Sequence, residues 1–192
     1  MVPTRRLLVL VLVANVAVGG TAVARRVTRA PELAVLIPPL PPTAPLLHTV
    51  TVPPGAGGRP GFTLSLPYAP TYVRTARDTG TTELTAPLDA TGNASLLVRR
   101  YGPRGRDPLA SLAIDQFETT GRKRPTDLRR TTFAGLPAAA MSRSAGDRVV
   151  FEIRFVHGDD MYGFTQVFAR PVDTVALMTG VEVGETWRWA TP

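Results

Sequence analysis

The chain has 192 residues, 44 % of them hydrophobic and 19 % charged, which is room for one packed domain and unlike a disordered polymer. It contains no cysteine, which excludes disulfides, thiolate metal sites and cysteine nucleophiles. The net charge is +7, carried by 21 arginines and the single Lys123, a balance compatible with anionic partners and first of all with solubility.

Residues 1–24 read as a secretory signal. Arg5 and Arg6 give the positive start, Leu7 to Val18 an apolar run interrupted in polarity only by Asn15, and Ala22-Val23-Ala24 a small-x-small peptidase site. Cleavage after Ala24 is expected. The alternative is a retained anchor, because Leu7 to Ala24 is 18 residues, the short end of a membrane span. Arg25, Arg26 and Arg29 follow at once and oppose an anchor with its carboxyl end outside. Without Arg5 and Arg6 the chain keeps 20 basic and 15 acidic residues, a surplus of five. Export without disulfides fits a bacterial envelope, secreted or held at the cytoplasmic membrane.

Residues 25–60 read as a linker. Prolines from Pro31 to Pro60 and the run Gly55-Ala56-Gly57-Gly58 forbid a helix and favour extended, solvated chain. Leu33-Ala34-Val35-Leu36-Ile37 and Leu46-Leu47 are too apolar for a pure spacer, so part of the segment is expected along the domain or a membrane. From Gly61 to residue 192 the texture is that of a single domain. Phe62, Leu64 and Leu66 alternate as in a half-buried strand, and Tyr72-Val73-Arg74 is a short extended piece. Ala94 to Tyr101 is a firmer strand, entered through Thr91-Gly92-Asn93. Asp107 caps a helix with Pro108 in its first turn; Leu109, Leu112, Ala113 and Phe117 share one face, and Gly121 ends it.

Three strands follow. Asp127 to Phe133 turns through Ala134-Gly135-Leu136-Pro137 into Ala138 to Ser142. Val149 to Val156 places Val149, Phe151, Ile153 and Phe155 on one face, and His157-Gly158-Asp159-Asp160 turns it into Met161 to Ala169. Pro171-Val172-Asp173 opens a short helix to Thr179-Gly180, and Trp187-Arg188-Trp189 closes the chain. Strands, a helix, strands and a last helix predict an α+β class: an antiparallel sheet flanked by helices.

The run from Gly61 onward resembles the PsbP-like fold, including exported actinobacterial lipoproteins of the LpqN type. Gly61-Phe62-Thr63-Leu64-Ser65-Leu66-Pro67 is similar to the opening strand and Asp107 to Phe117 to the first helix. Phe133-Ala134-Gly135-Leu136-Pro137-Ala138 is similar to the turn between the paired strands, and Met161-Tyr162-Gly163-Phe164-Thr165 to the late strand. The chain departs from the pattern in lacking the lipobox cysteine. The resemblance implies an α/β/α sandwich and a non-enzymatic accessory or assembly role, with the scaffold shared more than any activity.

No catalytic, metal or cofactor-binding motif emerges from the residues. His157 with Asp159 and Asp160 reads as a hairpin turn before it reads as a metal site, and the only other histidine is His48. No G-x-S-x-G positions Ser142 or Ser144, and the pairs Asp115/Glu118 and Glu182/Glu185 read as solvated faces. What remains is basic clustering: Arg99, Arg100, Arg104 and Arg106 before the helix, and Arg122, Lys123 and Arg124 after it. These are the candidate binding residues, for anionic lipid, a cell-wall polymer or an envelope protein rather than nucleic acid. The leading expectation is an exported, non-catalytic binding or accessory protein. A lipid or small-amphiphile carrier with a pocket between sheet and helix, and a hydrolase using dispersed carboxylates such as Glu118, Glu152 and Asp160, stand as alternatives.

Overall fold

Alternating β-branched and aromatic residues dominate the elements of the computed structural model, which describes residues 42–54, 59–75, 82–103, 107–120 and 127–190. These belong to one unit, Pro41–Pro192. The strands are β1 (His48–Val52), β2 (Gly61–Leu66), β3 (Tyr72–Thr75), β4 (Thr82–Pro87) and β5 (Ala94–Pro103). Helix α1 (Pro108–Thr120) precedes β6 (Arg129–Phe133), β7 (Leu136–Ala145), β8 (Arg148–His157) and β9 (Asp160–Ala169). Helix α2 (Thr174–Glu185) and β10 (Arg188–Ala190) complete the fold. Two antiparallel sheets result, one ordered β3-β4-β5-β9-β8-β7-β6 and one ordered β1-β2-β10. The fold is α+β, as the residue pattern predicts.

The seven-stranded sheet has two unlike faces. On the inner face Leu84, Leu96, Val98, Phe155, Phe164 and Phe168 are buried, beneath α2 and the smaller sheet. Phe62 of β2 stacks on Trp187 at 4.1 Å, and Trp187 meets Phe133 at 5.7 Å and Phe155 at 5.4 Å, so the closing aromatics form core rather than a free edge. On the outer face α1 packs on β7 and β8. Leu112 sits there against Ala139 and Met141.

Turn chemistry behaves as expected at two hairpins. Ala134 and Gly135 both have positive φ, 49° and 80°, the requirement of a tight two-residue hairpin. Gly158 at φ 61° makes the turn between His157 and Asp160, which are paired in register. Asp173 caps α2, its carboxylate accepting from the Val175 N–H at 2.8 Å.

Four features depart from the sequence reading. Strand β1 lies inside the stretch read as linker, because Val50 and Val52 pair with Leu64 and Phe62 on β2. Ahead of it the chain lies along α2: Thr43 donates to Glu182 at 2.6 Å and the Ala44 N–H donates to Thr179 at 3.0 Å. Strand β4 carries little sequence signal, since its period falls on Thr82, Leu84 and Ala86, two of them small or polar. Helix α1 turns Phe117 outward, 47 % exposed, and buries Gln116 instead. The reason is ionic, because Ser111 and Asp115 face the sheet to bind Arg154. Finally, α2 runs on past Gly180 to Glu185; Gly180 serves close packing rather than termination, since a methyl group there would lie 2.8 Å from the Gln166 side chain.

Candidate functional site

Alternation places Val150, Glu152 and Arg154 of β8 on the outer face, opposite Phe151 and Phe155. Arg154 is 3 % exposed, a charge that has to be paired to be tolerated there. Its Nε donates to Glu152 Oε1 at 2.9 Å, and one terminal nitrogen donates to Ser111 Oγ at 2.6 Å. The other terminal nitrogen reaches Asp115 Oδ2, and lies 3.4 Å from the Tyr101 hydroxyl. The guanidinium carbon stands 4.9 Å from the centre of the Tyr101 ring, a cation–π contact. One side chain thus joins α1, β5 and β8.

The electrostatics hold the guanidinium and the phenol each in one state. Burial by itself lowers the Arg154 pKa, but Glu152, Tyr101 and Asp115 together outweigh it and raise it. Burial raises the Tyr101 phenol, helped by Glu152 and Asp115 and opposed by Arg154 and Arg99. At neutral pH the guanidinium is charged and the phenol neutral.

Register extends this centre into a row across the sheet: Arg74, Glu83, Arg99, Gly163, Arg154, Ala139 and Arg130 lie opposite one another on successive strands. Gly163 is needed, since a methyl group there would meet the Tyr101 ring at 3.1 Å. Arg99 is bound by Glu83 at 2.9 and 3.2 Å and lies 5.6 Å from the Tyr101 ring centre. Beyond α1 the outer face continues over β9, β5, β4 and β3, where Thr165, Leu97 and Thr85 are half-buried and Tyr72 is 44 % exposed. Ile114 and Phe117, 56 % and 47 % exposed, add apolar surface on α1.

The basic residues singled out from sequence fall in different places. Arg99 is on this outer face, half-exposed and ion-paired. Arg100, the next residue in the strand, points inward and is 1 % exposed; it donates to the Pro60 carbonyl at 3.3 Å. The Tyr162 hydroxyl donates to the same carbonyl at 3.0 Å, so Arg100 belongs to the framework that holds the chain ahead of β2. Arg104, Arg106, Arg122, Lys123 and Arg124 lie outside the described residues.

The other candidates resolve into structural roles. Asp115 pairs with Arg154, Glu182 accepts from Thr43, Ser142 donates to Asp127 at 2.8 Å, and Arg170 donates to Ser144 at 2.6 Å. The His157 ring lies tilted against Trp189, centres 3.9 Å apart, with burial lowering its pKa. Asp160 is 2 % exposed, with Arg59 3.9 Å away. Among the described residues no group of three or more metal-binding side chains occurs. Also among them, no helix is long and apolar enough to cross a membrane.

The reading from sequence missed the Arg154 centre. Its signal was present: Glu152 and Arg154, two apart in an apolar strand, share one face and cannot both be solvated if that face is covered.

No protein-family model and no curated protein matches the chain. Among solved structures it is similar to a crystal structure from Bacteroides thetaiotaomicron VPI-5482, with TM-score 0.41 and 10 % identity over 68 % of this chain and 45 % of that one. The chain therefore spans less than half the length of that protein. It is also similar to LpqN of Mycobacterium tuberculosis, described as involved in cell envelope biogenesis, with TM-score 0.38 and 16 % identity over 76 % of this chain and 93 % of LpqN.

Proposed function

We propose that this chain is an exported, non-catalytic envelope protein that binds an anionic envelope component, or assists a partner carrying one, through the outer face of its large sheet. The reading rests above all on the Arg154 centre. A buried guanidinium committed to Glu152, Asp115 and Ser111 holds α1, Tyr101 and, through Tyr101, Arg99 in fixed positions beside the open part of that face. Groups locked in one charge state suit a preorganised docking surface better than proton transfer, which needs a pKa near the working pH.

In this reading Arg99 and Arg74 border the face, and Arg104, Arg106, Arg122, Lys123 and Arg124, which flank α1 in the sequence, supply further positive charge. Arg100, buried on the other side, takes no part. The ligand chemistry is a phosphate or carboxylate polyanion, and lipid headgroups and wall polymers are its two sources in an envelope.

The test is sedimentation of the full chain with vesicles containing phosphatidylglycerol, and separately with purified cell wall, at low and high salt. Binding to either, weakened several-fold by salt and by replacing Arg104, Arg106, Arg122, Lys123 and Arg124 with serine, is the expected result. Salt-independent binding, or turnover of an envelope substrate abolished by one substitution, overturns it.

A further inference from the structure

We propose that β1 is a self-association edge, pairing antiparallel with β1 of a second copy of this chain. Among the described residues four strands end a sheet: β3 and β6 in the larger, β1 and β10 in the smaller. Three of them carry arginine, namely Arg74 on β3, Arg129 and Arg130 on β6, and Arg188 on β10. Charged side chains are a common guard of free edges against pairing with other chains. Strand β1, His-Thr-Val-Thr-Val, has no Lys, Arg, Asp or Glu. It is rich in β-branched residues, and His48, Thr49 and Thr51 are exposed.

The charge pattern selects the occupant. An uncharged strand gives a charged partner strand nothing to recognise, whereas it meets itself without repulsion. Antiparallel pairing centred on Val50 sets Val50 beside Val50 of the second copy and Thr49 beside Thr51 of the second copy. Threonine pairs of that kind stabilise antiparallel ladders. Leu47, 73 % exposed just before the strand, gains cover beside Pro53 of the second copy. Centred on Val50, the ladder is bounded by Pro53 and Pro54 of each copy to residues 48–52, a length of about 17 Å. A contact of that size lies at the small, transient end of interfaces, so the proposed dimer is a reversible one. The dimer joins two three-stranded sheets into one and leaves both outer faces of the larger sheets free.

The chain has no cysteine, so single cysteines report the geometry cleanly. The experiment is mild oxidation of the full chain carrying Val50→Cys, with Val73→Cys, exposed on the edge that Arg74 guards, as control, read on a non-reducing gel. Homodimer from Val50→Cys and monomer from Val73→Cys is the expected result, since antiparallel pairing centred on Val50 brings the two Val50 α-carbons within disulfide range. Because Val50 is half-buried, the exposed pair Thr49→Cys mixed with Thr51→Cys serves as a second measurement and should cross-link as a heterodimer. Adding Thr51→Lys should lower cross-linking through Val50→Cys several-fold while the circular dichroism spectrum is unchanged. Cross-linking no greater than the control in both measurements overturns the proposal. So do insensitivity to Thr51→Lys and, in cells, capture of a different envelope protein in place of the second copy.

Discussion

Replacing Arg154 with methionine removes the guanidinium while keeping much of the side chain's apolar bulk. Glu152, with its side chain 11 % exposed, is then left as a buried carboxylate without its main partner. Asp115 is 35 % exposed and water takes over much of its share, so the loss is dominated by Glu152. Breaking a buried pair from one side costs about 3–5 kcal/mol, a large part of a typical domain's ~5–15 kcal/mol. Removing the orphan charge as well, in Glu152→Gln with Arg154→Met, should bring stability back to within about 2 kcal/mol of the parent. Urea unfolding followed by the fluorescence of Trp187 and Trp189, both packed on the inner face, measures each variant. A loss under about 1 kcal/mol for Arg154→Met, or a double variant no better than the single, would refute the view that this pair is buried and coupled.

Two further perturbations probe the framework. Gly61→Ala should cost about 1–3 kcal/mol and strip hydrogen-exchange protection from β1 before β8, because its methyl group would lie 2.5 Å from the Val52 carbonyl oxygen and 2.6 Å from the Pro54 nitrogen. Protection of β1 equal to that of the parent would contradict it. Burial pushes the Tyr162 phenol up to about 12, whereas an unfolded chain ionises it near pH 10. The fold therefore favours the neutral form; that stabilisation is complete below pH 10 and is lost as the pH climbs toward about 12. Tyr162→Phe should flatten the fall of the urea midpoint between pH 9 and 11.5, and an unchanged slope would count against it.

Local rules carried most of the fold. A period of two residues over Phe62, Leu64 and Leu66 and over Val149, Phe151, Ile153 and Phe155 marks β2 and β8, since a strand declares itself by which side chains can share a face. Ala134-Gly135 and Gly158 mark hairpins because left-handed backbone is needed within two residues of the strands it joins. Asp107 and Asp173 mark helix starts for an equally local reason: each carboxylate accepts from the N–H two residues on. These elements were legible together with the antiparallel α+β class.

The candidate site was not legible, because its parts are brought together only by the order of strands. Arg154 meets Ser111 and Asp115 some forty residues away, and Tyr101 more than fifty away, and no spacing in the chain encodes that meeting. The same holds for Arg99 and Arg100. The sequence shows two adjacent cations; the strand turns one to the open face and seals the other beneath Pro60. Strand β1 hides among prolines for a related reason. Five residues become a strand because β2 offers an edge, and β2 is held in turn by β10 from the far end of the chain. Apart from β1 and β4, the sequence by itself determined which segments extend, turn and coil, since those choices depend on neighbours in the chain. Tertiary structure alone decided which charges are paired, which are exposed and which strands end the sheets of the described residues, since those depend on neighbours in space.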